Sequence, residues 1–261
     1  MKINKLQIIL GWLTSPLFLL IFGTLLVVFD ILQRIALNLF GYQVHKRVVD
    51  AFQICFITAQ YLCGTTIRVV NLNKNPLPTD RPLIIVGNHQ SLFDIPYSIW
   101  FLRRHHVKFV AKKELGKGVP TISYNLRYGG SVLIDRKDNV QALGEIAKLG
   151  QYIEKHNRAA LIYPEGTRSR TGVLKPFKPA GLITLIQNAP SALVLPVTIE
   201  NSWKLTYYGF FPIPFGVACT YTMLEVIDPQ ELSPEEVVNQ CEIAIRKALK
   251  QEQPAGTPTS A

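Results

Sequence analysis

Residues 88–94, Asn-His-Gln-Ser-Leu-Phe-Asp, set an imidazole and a carboxylate five positions apart, directly after the apolar run Leu83-Ile84-Ile85-Val86. A histidine that donates one ring N–H to a carboxylate keeps its other nitrogen free to take a proton near neutral pH, which is what a general base must do. On one continuous helix, residues five apart point about 140° away from each other and cannot meet. The pairing therefore requires His89 in the turn after a strand and Asp94 in the first turn of the next helix.

Three further clusters leave apolar runs in the same way. Lys108–Leu115 (KFVAKKEL) puts two lysines, Lys112 and Lys113, at the end of a strand-like run. Gly129–Arg136 (GGSVLIDR) ends in an arginine, and Tyr163–Ser169 (YPEGTRS) turns through Pro164 and Gly166 to present Glu165, Thr167 and Arg168. Ligands of α/β sheets collect at the carboxyl ends of strands, so one such fold could bring all four clusters together. No G-x-S-x-G elbow offers a serine nucleophile.

The order of these segments resembles the glycerophospholipid acyltransferase family, and in particular its 1-acylglycerol-3-phosphate acyltransferases. That family is known by N-H-x-x-x-x-D, an arginine at a strand end, a F/Y-P-E-G-T-R-S block and an apolar block with a proline. Here these are Asn88–Asp94, Ile134–Arg136, Tyr163–Ser169 and Val194-Leu195-Pro196-Val197, within roughly residues 66 to 225. N-H-x-x-x-x-D alone is a weak match; its coincidence with P-E-G-T-R-S is specific. Tyr163 stands where phenylalanine is more frequent. The resemblance implies acyl transfer from a thioester, acyl-CoA or acyl-carrier protein, to the free hydroxyl of lysophosphatidic acid, giving phosphatidic acid without a cofactor or metal. Another lysolipid or glycerol 3-phosphate as acceptor, or an inactive lipid-binding relative, are the alternatives.

The chemistry of the residues agrees with that implication. His89 would remove the acceptor's hydroxyl proton as the C–O bond forms, and Asp94 would fix its tautomer and stabilise the imidazolium. Direct attack with no acyl-enzyme is the simplest course. Oxyanion donors are expected among backbone amides near Gly166 or in the His89 turn. Planar guanidinium groups match phosphate oxygens two at a time, which favours Arg168 first, with Arg136 and Lys112 beside it. Thr167 adds a hydroxyl, Gly166 permits close backbone approach, and Glu165 is expected to bond an acceptor hydroxyl or to orient an arginine. Against these readings, Arg136 could simply pair with Asp135 or Asp138, and Lys112 and Lys113 could be solvated. His105 and His106, in a basic run (RRHHVKF), are expected at an interface with lipid.

These groups need a scaffold. Strand-like runs recur at Thr66–Leu72, Leu83–Val86, Val107–Ala111, Ser131–Ile134, Ala159–Tyr163, Leu193–Ile199 and Val217–Val226, with helical periodicity between them, clearest in Val140–Lys155. Ser233 and Glu236 form a capping box that opens a last helix towards Lys250, and Pro179-Ala180-Gly181 opens another. The alternation predicts an α/β fold, a mixed sheet covered by helices, over residues 66–251. Residues 252–261 form a polar tail expected to be disordered.

Before this domain, residues 1–65 read as a membrane-associated helical region. Leu6 to Phe29 pass without a charge, a length of about 36 Å as a helix and enough to span a hydrocarbon core. Pro16 and Gly23 predict a kink or reversal there, and no small-residue cleavage site follows to mark a signal peptide. A weaker uncharged stretch runs from Ala51 to Ile67. Lys2 and Lys5 before the first segment and Arg34, Lys46 and Arg47 after it favour a cytoplasmic shallow hairpin over a single span. Twenty-eight Lys and Arg against 18 Asp and Glu give +10, an excess that favours an anionic partner. The apolar segment makes that partner a membrane lipid surface; a nucleic-acid binder would instead interleave its basic residues with stacking aromatics. Cys55, Cys63, Cys219 and Cys241 have no C-x-x-C or metal-ligand spacing and read as small buried hydrophobes.

Overall fold

A computed structural model describes residues 3–251; the polar tail at 252–261 lies outside the described residues. Two helices open the chain, α1 (Lys5–Phe40) and α2 (Tyr42–Ala59). Seven strands follow: β1 (Thr66–Asn71), β2 (Leu83–Gly87), β3 (Lys108–Lys112), β4 (Val132–Ile134), β5 (Ala159–Ile162), β6 (Leu193–Glu200) and β7 (Ala218–Met223). Between and after them lie α3 (Asp94–Phe101), α4 (Ile122–Tyr128), α5 (Asn139–His156), α6 (Pro179–Asn188) and α7 (Pro234–Ala248). The strands form one sheet in the order β1-β7-β6-β2-β5-β3-β4, parallel except for the β6–β7 pair. Mixed pairing and helical cover agree with the sequence reading.

Central strand β2 shows why. All five of its residues are buried, as expected for a parallel strand covered on both faces. Leu83 and Ile85 point into one apolar cluster and Ile84 and Val86 into the other, the two-residue alternation of a strand. The first cluster takes Phe18, Phe56 and Phe93 from α1, α2 and the turn before α3. The second takes Ile146, Leu149 and Ile153 of α5, Leu182 and Leu185 of α6 and Val237, Cys241 and Ile245 of α7. The Ser233–Glu236 capping box closes the start of α7.

The amino-terminal region corrects one expectation. Pro16 and Gly23 lie inside a single continuous helix, and the chain reverses at Gly41 instead. Proline removes one intrahelical donor, but α1 is held along its length by the rest of the fold. Gln7 Nε2 donates to the Phe215 carbonyl (3.1 Å), Ser15 Oγ accepts from the Ile213 amide (2.8 Å), and Asp30 accepts from the Thr121 amide (2.7 Å). Gly11 lets the 211–215 segment approach, since a Cβ there would collide with the Ile213 carbonyl. α2 packs back against α1 through Phe22–Phe56 and Phe29–Phe52 ring contacts. The opposite face of α1 is an exposed apolar stripe: Leu6, Ile9, Leu13, Leu17, Leu20, Val27, Ile31, Ile35 and Leu39 recur every three to four residues, with one gap between Leu20 and Val27. By length and composition α1 is the one described helix apolar enough to cross a membrane.

His105 and His106 also depart from expectation. His105 is buried, and His106 turns its Nδ1 to the Tyr42 hydroxyl at 2.9 Å. They face the protein, not lipid.

Candidate active site

The four clusters stand on four adjacent parallel strands, β2, β5, β3 and β4, at their carboxyl ends. Adjacent strands are about 4.8 Å apart, so β2 and β4 are separated by about 14 Å of sheet, a distance that two arginine side chains can narrow.

His89 sits in the turn after β2 and Asp94 is the first residue of α3. The His89 Nδ1–H donates to Asp94 Oδ2 at 2.9 Å. That carboxylate is fully buried and accepts four other hydrogen bonds. Oδ2 takes the amides of Gln90 (2.6 Å) and Ser91 (2.8 Å), and Oδ1 takes the hydroxyls of Ser91 (3.2 Å) and Ser202 (2.5 Å). With five donors on Asp94, the carboxylate is locked as an acceptor and Nδ1 must carry the proton. Nε2 has no partner among the described residues and keeps its lone pair. The imidazole is held from the side by Tyr163, whose ring stacks on it at 4.2 Å and 8° between planes.

Asn88 anchors the turn. Its amide bridges to the end of β6, donating to the Ile199 carbonyl (2.8 Å) and accepting the Ile199 amide (2.7 Å), as a strand residue would. Gln90 accepts from Ser202 Oγ (3.3 Å) and the Trp203 amide (3.4 Å). Ser202 and Gln90 were invisible to sequence reasoning: Ser202 lies 108 residues from Asp94, and no spacing rule connects them.

Glu165 differs from both expected roles. It bonds neither an arginine nor open space; its buried carboxylate accepts the amides of His89 (2.6 Å) and Lys175 (2.9 Å), joining the two loops that form the site. Burial raises its pKa, and the two amides partly offset that. Gly166 has φ +68°, and a Cβ there would meet Lys178 only at ordinary contact distance, so the backbone turn, not close approach, calls for glycine. Of the amides expected as oxyanion donors, those of the His89 turn and of Gly166 itself are taken: His89 N by Glu165, Gln90 N and Ser91 N by Asp94, and Gly166 N by the Tyr163 carbonyl at 3.0 Å. The amides of Thr167 and Arg168 have no acceptor among the described residues.

Arg168 is half-buried, Thr167 and Arg136 are exposed, and among the described residues neither guanidinium has a carboxylate in ion-pair range. Asp135 pairs with Lys113 (3.7 Å), not with Arg136. Partial burial, and then the Arg168 charge, lower the Arg136 pKa. Lys112 ends β3 beside them but is 48% exposed and 3.4 Å from Glu114. Among the described residues no three His, Cys, Asp or Glu side chains are grouped to hold a metal ion.

Immediately after the His89 turn, Leu92 and Phe93 line an apolar cavity of about 330 Å³. Its other walls include Phe22 of α1, Phe52 and Phe56 of α2, Ile122 of α4, and Phe210. It is within the size range of ligand pockets.

A model of the acyltransferase family matches residues 68–200, which hold every group described above except those of α1, α2 and the 202–215 segment. The chain belongs to the acyltransferase family. Among relatives, 1-acyl-sn-glycerol-3-phosphate acyltransferase beta of Homo sapiens is 31% identical over 64% of this chain and 59% of its own length. The 1-acyl-sn-glycerol-3-phosphate acyltransferase of Helicobacter pylori is 34% identical over 56% of this chain and 62% of its own. The chain thus spans about six-tenths of the length of these relatives. In fold, it is similar to the crystal structure of the 1-acyl-sn-glycerophosphate (LPA) acyltransferase, PlsC, from Thermotoga maritima, with a TM-score of 0.74 and 24% identity over 97% of this chain and 100% of that one. That likeness extends across the α1–α2 hairpin, which the family model does not include.

Proposed function

We propose that this acyltransferase moves a fatty acyl group from acyl-CoA or acyl-carrier protein to the free hydroxyl of lysophosphatidic acid, giving phosphatidic acid. The observation that carries the reading is the unpartnered Nε2 of His89, braced through Asp94 at the same carboxyl ends of the sheet that carry Arg168 and Arg136. His89 Nε2 takes the acceptor's hydroxyl proton as its oxygen attacks the thioester carbonyl. The tetrahedral oxyanion finds donors in the Thr167 and Arg168 amides. As it collapses, the C–S bond breaks and the imidazolium returns the proton to the thiolate. Arg168 and Arg136 hold the acceptor phosphate, Lys112 adds charge at the rim, and the cavity under Leu92 and Phe93 takes an acyl chain.

The membrane part of the reading is a shallow hairpin on the cytoplasmic face. α1 meets the α/β layer from Gln7 to Arg34, whose guanidinium lies 4.6 Å over the Tyr124 ring, a stretch of about 40 Å at helical rise. A helix bound along that length cannot also cross the hydrocarbon core. Its apolar stripe, continued by exposed Tyr207, Tyr208, Phe210 and Phe211, suits an in-plane position with aromatics at headgroup level.

The test uses purified protein in detergent, labelled acyl-CoA or acyl-carrier protein, and lysophosphatidic acid, other lysolipids and glycerol 3-phosphate as separate acceptors. Phosphatidic acid identified by mass, formed faster than any other product, is expected. Preferential acylation of an acceptor without phosphate would overturn the assignment.

A further inference from the structure

At the amino edge of the sheet, remote from His89, lies a second cationic cluster that acyl transfer does not use. Lys108 opens β3 and Arg158 immediately precedes β5, its neighbour in the sheet. Lys108 is only 6% exposed, yet its ammonium has no hydrogen-bond acceptor and no carboxylate in ion-pair range among the described residues. Its favourable neighbours are the ring of Tyr42, 4.9 Å away, and the more distant charge of Asp50; the Arg158 guanidinium covers the same ring at 3.9 Å. Lys46 bonds Asp50, the only carboxylate lining the small cavity between these groups. His45 and His106 line it too, but burial pushes both down to about 4, so they add no charge near neutral pH. Two cations, Lys46 and Lys108, and one carboxylate therefore line the cavity, with the half-buried Arg158 beyond the Tyr42 ring.

We propose that this cavity is an anion site that takes one monovalent inorganic ion of halide size, held by the Lys108 ammonium. Size selects the class: the cavity holds about 20 Å³, against the 10–15 Å³ or so that one water requires, so a tetrahedral oxyanion does not fit. The donors are in place. Lys108 has three N–H groups without an acceptor, and the Ser131 hydroxyl, which accepts the Phe109 amide at 3.3 Å, keeps its own hydrogen to donate.

The site is also a seam. Tyr42, Lys46 and Asp50 come from α2 and Lys108 from the sheet, so a bound anion ties the hairpin to the α/β layer. Two turns further along α2, Phe52 and Phe56 line the apolar cavity. Protonation sets the affinity. Burial, then the charges of Arg158 and Lys46, push Lys108 down to about 7, with Asp50 opposing. Only the ammonium binds the anion, so affinity is full below that pH and declines as pH rises through it; a bound anion raises the Lys108 pKa in return.

The experiment takes the full chain in detergent at constant ionic strength and replaces gluconate stepwise with chloride at pH 6 and pH 9. At pH 6 the unfolding temperature should rise saturably, by roughly 5 °C, and chloride-35 resonance should broaden in the presence of protein. At pH 9 both effects should shrink severalfold. Lys108→Met should abolish both at pH 6 while leaving acyl transfer active. Equal unfolding temperatures in chloride and gluconate at pH 6, or a chloride increment retained in Lys108→Met, overturns the proposal. Should that variant not fold, the wild type decides alone: broadening equal at pH 6 and pH 9 rules out a site built on Lys108.

Discussion

The two edges of the sheet carry cations of opposite character. At the carboxyl edge, Arg136 and Lys112 are exposed and Arg168 half-buried, and among the described residues neither guanidinium has a carboxylate partner. At the amino edge, Lys108 is closed in and shares its surroundings with Arg158 and the Lys46–Asp50 pair. Water solvates the first set at little cost, so the two guanidiniums can stay unpaired while Lys112 meets the exposed Glu114. In the second set Lys108 is buried, and an unpaired buried charge must find a counter-ion or give up its proton. A working site is the place where unpaired charge is cheap to keep and a ligand can reach it.

The largest effects should come from removing the proposed base at the carboxyl edge. His89→Ala should lower kcat by about 10²-fold or more, the scale of lost base catalysis, and Asp94→Asn should fall nearly as far by misdirecting the tautomer. Lys108→Met, at the other edge, should keep its rate in the same assay. Acyl transfer within threefold of wild type for folded His89→Ala would erase the difference between the edges. Ser202→Ala removes one of five donors to Asp94 and should cost about 1 kcal/mol, roughly fivefold in kcat.

Next in size is the phosphate contact. Arg168→Lys keeps the charge but loses the two-pronged geometry, so the KM for lysophosphatidic acid should rise severalfold while the thioester KM changes little. Arg168→Ala should be worse in KM and kcat together. A monoacylglycerol provides the comparison: both variants should narrow the preference for the phosphorylated acceptor. If that preference is unchanged while rates fall, the phosphate lies nearer Arg136 and Lys112.

Much of the carboxyl edge was legible in the sequence, and little of the amino edge was. Apolar runs located β2, β5 and β6 most directly, because a strand buried on both faces has no polar face to disguise it. His89 and Asp94 were legible because a turn and a helix start bring nearby residues together. Ser202 reaches Asp94 from 108 positions away, and Glu165 is satisfied by backbone amides, which carry no sequence signature. The reversal at Gly41 was misassigned to Pro16 and Gly23, since local helix-breaking tendency was overridden by packing along the whole of α1. His105 and His106 were assigned to lipid by the charge of their neighbours; only the fold turns them inward.

A smaller effect sharpens the contrast in stability instead of rate. The folded-state pKa of Lys108, about 7, lies below the roughly 10.4 of an unfolded lysine. Between those values the unfolded chain binds the extra proton, so in chloride-free buffer stability should rise with pH, by at most about 1.4 kcal/mol per unit. Lys108→Met should flatten that rise, and chloride should narrow its window by raising the folded-state value. Unfolding in denaturant at pH 7, 8 and 9 measures the slope. An equal slope in wild type and variant would mean that Lys108 is solvated after all.

The smallest expected effect belongs to Tyr163, which places a buried orphan at the carboxyl edge as well. Its hydroxyl has no hydrogen-bond partner among the described residues, and burial raises its pKa well above the ordinary range. A neutral hydroxyl differs from a buried ammonium in that it cannot shed its cost by releasing a proton near neutral pH. The function of the side chain rests on its ring, which stacks on His89 at 4.2 Å. Tyr163→Phe keeps that ring and deletes only the unsatisfied group, so kcat should stay within twofold and stability should hold or rise by up to about 1 kcal/mol. Tyr163→Leu fills similar space without a flat face and should lower kcat more than Tyr163→Phe does, because the imidazole gains freedom to rotate away from Asp94. The two variants, measured for rate and unfolding together, separate stacking from hydrogen bonding. A large loss of activity in Tyr163→Phe would show that the hydroxyl finds a partner once substrate is bound, and the orphan would then be a binding group awaiting its ligand.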